Sequence, residues 1–423
     1  MSHEHEREAG VGMATQIAVS TRPSDRDICD SYLYLLGRLL VLRQEHFDFI
    51  SGARWNHLDH LPVGSPQHAN VDVACSEAWV AVDESSCTVI DVPRIAGRYY
   101  TVQIVNLWGE TIANINERTY PDHRSGAFAL CLKGAHLVLP RGAERIDLVG
   151  RKARVFVRIE LGADPKEAVA LQQQFTMRAT GKPLIPAAVA IPLFPNEKLP
   201  GVEAFDAALP ALASEQDLNP GMDVLQAKAR AVAALIRRDS ERHRIDQVLR
   251  QRSWGLKQAL FVTHDDWIAQ RVAGSYGTDW LGRTAANKFG IWSNTKAEMV
   301  AFKAGIAARL DGDHAYAMTF RKDDLPGAHV KYFWSLSCVD SHTFRALAAH
   351  HDRSWLGSHS RAQADRDGGL TLYFAPKLPA GAPDSNWLAT PPSRSYILTW
   401  RSYGPDAATV SGQWFPPPLR RLS

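Results

Sequence analysis

Apolar positions along the chain change period three times. Between Asp27 and Gln44 the stretch DICDSYLYLLGRLLVLRQ is Leu-rich with a helical repeat, which predicts one long helix with a broad buried face. From residue 78 to 161 the period falls to two. AWVAV (78–82), CTVIDV (87–92), RYYTVQIVN (98–106), AFALCL (127–132) and RVFVRIEL (154–161) are short, rich in β-branched and aromatic residues, and parted by Gly, Pro, Asp or Ser. That is the pattern of strands. In the third, Tyr100, Val102 and Ile104 share one face while Tyr99, Thr101 and Gln103 share the other. Such a sheet has one face packed and the other lining something semi-polar. DPKEAVALQQQF (164–175) then reads as a helix opened by Pro165 and Glu167.

A proline-rich connector, GKPLIPAAVAIPLFPNEKLPG (181–201), leads back to a helical period with Leu225, Ala229, Val232 and Ile236 in register. Thr263-x-x-Asp266 and Thr295-x-x-Glu298 have the form of capping boxes and predict two further helix starts. After about residue 312 strands return as DHAYAMTF, KYFWSLS, LTLYFA and SYILTWRSY. The tail GQWFPPPLRRLS carries three prolines without N–H donors, which excludes it from helix and central strand. The expected architecture is multidomain α+β. It comprises a flexible arm (1–25), a mainly antiparallel β-rich module (26–178), a helical linker or insert (179–300) and a C-terminal jelly-roll-like β-sandwich (301–423).

Composition narrows the chemistry only a little. Forty-eight basic residues against 45 acidic ones give no overall attraction to nucleic acid. Residues 226–252 hold eight Lys or Arg against three acidic residues; no aromatic residue interleaves them, so a solvated helix face is the expectation, with a contact surface as the alternative. The five cysteines, at 29, 75, 87, 131 and 338, show no C-x-x-C spacing, and neither a disulfide framework nor a zinc site is expected. The N-terminal stretch has no apolar signal region, and no run of about 18 apolar residues occurs. A soluble, cytoplasmic protein without a membrane partner is expected. Twelve Trp imply large cores, aromatic pockets or subunit contacts, and leave a homo-oligomer open.

No phosphate-binding loop, dinucleotide fingerprint or H-E-x-x-H motif occurs, so no cofactor is predicted. AGSYG (273–277) has Ala273 where a nucleophile elbow needs Gly. His57 and His60, in WNHLDHL, could hold a metal or form a solvated pair.

Two longer stretches carry a resemblance. ARWNHLDHLPVG, HANVDVACSEAWVAVD and GRYYTVQIVNLWGETIANINER together resemble the family called domain of unknown function 1254. The segments YGTDWLGRTAANKFGI, KYFWSLSCVD, DSNWLATPP, ILTWRSYGP and GQWFPPP resemble domain of unknown function 1214. The resemblance implies two β-rich modules in that order, a jelly-roll-like second module, and no established reaction. It places family positions on Asn70, Asp72, Tyr100, Gln103 and Arg118, and then on Trp334, Asn386, Trp387, Arg401 and Trp414. The first family's Pro, Thr and Tyr are here Ala69, Val73 and Cys75, so two hydroxyls beside Asn70 and Asp72 are lost.

Asp72 is a candidate general acid or base with Asn70 orienting it; the alternative is an Asx turn that ties the loop before the strand. Arg118 and Arg401 are candidate clamps for a substrate carboxylate or partners of acidic neighbours across the modules. Gln103, Tyr100, Trp334, Asn386 and Trp387 complete the candidate substrate-binding set. The expected function is a nucleotide-cofactor-independent hydrolase, lyase or isomerase. Its substrate would be small, partly apolar and anionic, bound between the two β modules. The alternatives are a non-catalytic small-molecule or carbohydrate-binding protein and a structural or regulatory partner protein.

Overall fold

The predicted first helix runs from Asp25 to Ile50 in a computed structural model that describes residues 22–64, 70–252, 254–306, 309–342, 347 and 355–422. The expected arm therefore lies almost wholly outside the described residues, as does Ala69. Ser24 opens the helix with a capping box: its hydroxyl accepts from Asp27 N, and the Asp27 carboxylate accepts from Ser24 N. Buried residues from Tyr32 to Leu42 pack against the helices Ala208–Ala213, Met222–Leu235, Asp239–Arg250 and Trp280–Phe289. Gly37 lets the last of these approach, since a Cβ there would meet Thr284 Oγ1 at 2.5 Å.

The N-terminal module has two sheets. One is antiparallel, in the order Asp59–His60, Val73–Ala81, Lys152–Glu160, Tyr100–Val105 and Thr111–Ile115; the other is Glu144–Leu148, Gly126–Leu132, Thr88–Val92 and Thr176–Ala179. Their facing sides share one core, in which Val102, Ile104, Val155 and Val157 meet Ile90, Phe128 and Leu130. Tyr100 joins that core, as its alternation predicts. The opposite face of the first sheet carries Glu77 and Trp79, then Arg154, Phe156 and Arg158, then Thr101 and Gln103, in cross-strand register.

In the C-terminal part, one sheet runs Phe261–His264, Trp267–Gln270, Met299–Ala304, Ser395–Pro405, Val330–Asp340 and Trp355–Gly357, with Leu310–Asp311 also pairing the fourth strand. A second sheet, Trp387–Ala389, Leu370–Ala375, Tyr316–Phe320 and Arg420–Arg421, packs on it. Trp334 stacks on Trp400 in that core at 4.6 Å and 2°. The protein is thus mixed α+β with several antiparallel sheets; this strand order identifies a sandwich and not specifically a jelly roll.

Both predicted capping boxes start no helix. Thr263 lies in a strand that turns at Asp265 (φ 48°) and returns as Trp267–Gln270, because Thr and Asp serve a tight hairpin as well as they serve a cap. Thr295 and Glu298 form a turn that feeds the strand Met299–Ala304. The C-terminal sheet therefore recruits two strands from the segment expected to be helical.

Candidate functional site

Asp72 is at the meeting of the two modules, on the residues entering the Val73–Ala81 strand. Its side chain has 0% exposure. Oδ2 accepts from Ser335 Oγ at 2.6 Å and Tyr403 OH at 3.0 Å, and Oδ1 from Trp355 Nε1 at 2.8 Å. Arg401 stands 3.4 Å from Oδ2. All four donors come from the C-terminal sheet, whose alternation turns Ser335, Arg401 and Tyr403 to one side. Asn70 Oδ1 accepts from Asp72 N at 3.0 Å, the hydrogen bond of an Asx turn, and Asn70 Nδ2 reaches the Tyr403 hydroxyl at 2.8 Å.

A reciprocal latch lies beside this one. Glu298, from the C-terminal sheet's approach, is bound by Arg118 at 2.5 Å, Asn116 Nδ2 at 2.9 Å and Tyr99 OH at 3.3 Å, all from the N-terminal module. The Arg118 guanidinium also lies 5.0 Å from the Tyr332 ring. Between the latches Phe333 stacks on Tyr403 at 4.1 Å, with Val73 and Tyr99 packed around them. Burial, and after it the Asp72 carboxylate, holds the Tyr403 phenol well above its usual range. The hydroxyl is therefore a permanent donor.

The remaining predicted residues disperse. Tyr100 donates to Arg124 O from the N-terminal core, Asn386 binds Gln363 and Thr371 backbone groups, and Trp387 Nε1 donates to Ala375 O. Trp414 stacks on His329 at 4.5 Å. His57 Nε2 is 3.3 Å from Asp59, and His60 Nδ1 is 2.8 Å from Ser76 Oγ. In the basic stretch, Lys228, Arg242, Arg244 and Arg250 each pair with a carboxylate.

Gln103 leads to a different place. The polar face of the first sheet forms the floor of a groove of about 800 Å³, walled by the end of the first helix and by Ile291 and Trp292. Arg154 on this floor is neutralised by Glu77 at 2.8 Å and Asp48 at 3.3 Å. Arg158, two residues on, lies 5.1 Å from the Phe156 ring and donates to Gln103 Oε1 at 2.7 Å. Among the described residues no carboxylate pairs with it. Gln103 Nε2 in turn holds Thr111 Oγ1 at 2.9 Å and the carbonyls of Ser293 and Trp292 at 3.2 and 3.4 Å. Those carbonyls belong to a turn in which Trp292 takes φ 65°, a conformation costly for a bulky side chain.

The same turn divides two spaces. Ile291 and Trp292 face the groove, whereas Gly290, Ser293 and Asn294 line a smaller chamber of about 220 Å³ that also holds Lys296, Lys303 and Arg401. Sequence reasoning missed Arg158 and Lys303. The signal for Arg158 is the alternation Arg154, Phe156, Arg158 within RVFVRIEL, which puts two cations and a ring on one strand face. Around the groove, burial keeps the His60 ring below the ordinary histidine value and pushes the Cys75 thiol up to about 11.

Comparison with known proteins gives a fold and no activity. Residues 55–179 match the model of the family described as protein of unknown function DUF1254, and residues 296–407 that of protein of unknown function DUF1214. No curated protein matches the chain. The crystal structure of the VPA0106 protein from Vibrio parahaemolyticus is similar over 95% of this chain and 100% of its own, at a TM-score of 0.68 and 19% identity. A putative uncharacterized protein from Burkholderia cenocepacia aligns over 92% of this chain and 86% of its own, at 0.44 and 15% identity.

Proposed function

We propose that this chain, which belongs to the two-module proteins pairing DUF1254 with DUF1214, binds a small anionic molecule with an apolar body in the groove over its N-terminal sheet, and acts on it without a nucleotide cofactor. One observation carries the reading: Arg158 is a cation without a carboxylate partner among the described residues, held in orientation by Gln103 on an aromatic-walled floor. A guanidinium so fixed pairs a carboxylate or phosphate at little ordering cost. Phe156, Trp79 and Trp292 supply the apolar wall.

Catalysis in this reading runs through His60, which lines the groove. Lowered by burial, its ring is neutral at pH 7 and able to take a proton. Cys75, its thiol raised by burial, offers no thiolate. A hydrolase, lyase or isomerase step that needs a single base fits this set. The second reading, a non-catalytic binding protein, is favoured by one feature: Arg154 already engages both Asp48 and Glu77, so neither carboxylate is free for proton transfer.

Thermal melting with benzoate, 3-phenylpropionate, hexanoate and inorganic phosphate tests the reading. Carboxylates with an apolar body should raise the melting temperature of the wild type and leave a folded Arg158→Met variant unmoved. An equal shift in both, or none in the wild type, overturns it.

A further inference from the structure

The second sheet of the N-terminal module carries a small apolar patch on its outer face, formed by Cys87, Val89, Ala129 and Cys131. Leu137, Leu139 and Ala143, from the segment that joins Gly126–Leu132 to Glu144–Leu148, pack over it. Both cysteines are buried and free. Thr88 pairs with Leu130 and Val89 with Ala129, so the next position along the ladder sets Cys87 opposite Cys131. Cys87 turns its backbone the other way. Its carbonyl accepts from Thr180 N at 2.8 Å, and its N–H donates to Thr180 Oγ1 at 3.0 Å. The cysteines therefore form a pair without hydrogen bonds between their backbones, the kind that brings facing Cα atoms to about 4.5 Å and side chains closest together. A disulfide asks for Cα atoms about 4.4–6.8 Å apart. The two thiols already face each other closely enough to interact.

We propose that Cys87 and Cys131 are a redox site, at which hydrogen peroxide joins them in a cross-strand disulfide without a shift of the ladder. One sulfur attacks a peroxide oxygen and the O–O bond breaks, leaving a sulfenic acid and one water. The second sulfur attacks the sulfenic sulfur, the S–S bond forms, the S–O bond breaks, and the oxygen leaves as a second water. The two thiols together lose two electrons and two protons, and the peroxide takes up both. Burial, and after it the Cys87 sulfur, holds the Cys131 thiol above its usual range, so little thiolate forms while the cover is closed. That cover is a single pass of chain without helix or strand, and Val138 on it is fully exposed; such a segment opens locally at low cost. The bridge closes a loop that holds Tyr100–Val105 and Thr111–Ile115 of the other sheet, and so ties the two sheets together. The inference uses none of the groove residues and stands or falls separately from the groove's function.

The test is peroxide treatment of the reduced full chain, followed by unfolding, alkylation and a non-reducing peptide map by mass spectrometry. Trypsin is combined with a glutamate-specific protease, since Glu77 and Glu84 part Cys75 from Cys87. The expected result is one linked pair of peptides, carrying Cys87 and Cys131, with Cys29, Cys75 and Cys338 outside any bridge. The oxidised protein should melt higher by about 5 °C; dithiothreitol should erase the rise, and Cys131→Ala should show none. Five alkylated thiols after treatment, sulfinic acid on the pair in place of a bridge, a bridge to another cysteine, or a Cys87–Cys131 bridge that forms only in urea overturns the proposal. The wild-type map alone decides if the variant fails to fold.

Discussion

Replacing Asp72 by alanine tests how the modules are joined. The substitution removes the acceptor of three neutral donors, Ser335, Tyr403 and Trp355, and the carboxylate beside the buried Arg401. Removing one partner of a buried ion pair costs about 3–5 kcal/mol, because the other charge stays behind. Each orphaned neutral donor adds about 1–3 kcal/mol at most, and not additively. About 4 kcal/mol is the expected loss for Asp72→Ala, a large share of the ~5–15 kcal/mol that holds a typical domain folded. Asp72→Asn keeps an oxygen acceptor and the shape but not the charge, and should lose about half as much. Urea unfolding followed by tryptophan fluorescence measures both. The latch also predicts that Asp72→Ala and Arg401→Met together cost less than the sum of the two, by about 1–3 kcal/mol. A loss under ~1 kcal/mol for Asp72→Ala, with additive behaviour in the double variant, would refute the latch.

Other outcomes follow from buried titratable groups. Glu215 packs against Gly150, and burial moves its carboxyl from 4.5 up to about 7. A carboxyl raised on folding contributes stability that is complete below 4.5 and lost as pH rises through about 7. Glu215→Gln should therefore gain on the wild type between those limits, by at most roughly 3 kcal/mol at pH 8; pH-dependent urea titrations check this, and a constant difference between the two proteins contradicts it. The His60 ring should titrate below 6.5 in an NMR pH series, since its environment disfavours the imidazolium; a midpoint above 6.5 removes the neutral base from the proposed chemistry.

What the sequence makes legible is local. Alternation in RYYTVQIVN assigns Val102 and Ile104 to the core and Gln103 to the polar face, and both are found there. Leu and Tyr spacing finds the first helix because its buried face is contiguous. Turn chemistry is less decisive: Thr263 and Asp266 satisfy a capping pattern, yet the strand partners on either side win the backbone hydrogen bonds. Latches are harder still. Asp72 and Ser335 are 263 positions apart, and no local rule pairs them. Lys303 alternates with Val300, Phe302 and Ala304, which are buried in the sandwich core, and so reads as solvent-facing. The chamber around it is built by Phe261, Ile268 and Phe289, from elements that fold back over that face. Arg158 is legible as a cation on a strand; that no carboxylate meets it is a tertiary fact.

The groove is tested most directly by where an amphipathic anion settles. Crystals soaked with 4-bromobenzoate locate the bromine by its anomalous signal and the carboxylate by density. The account predicts the carboxylate against Arg158 with the ring beside Phe156 or Trp292. A bromine found only outside the groove, with Arg158 still bound to Gln103 alone, would contradict it.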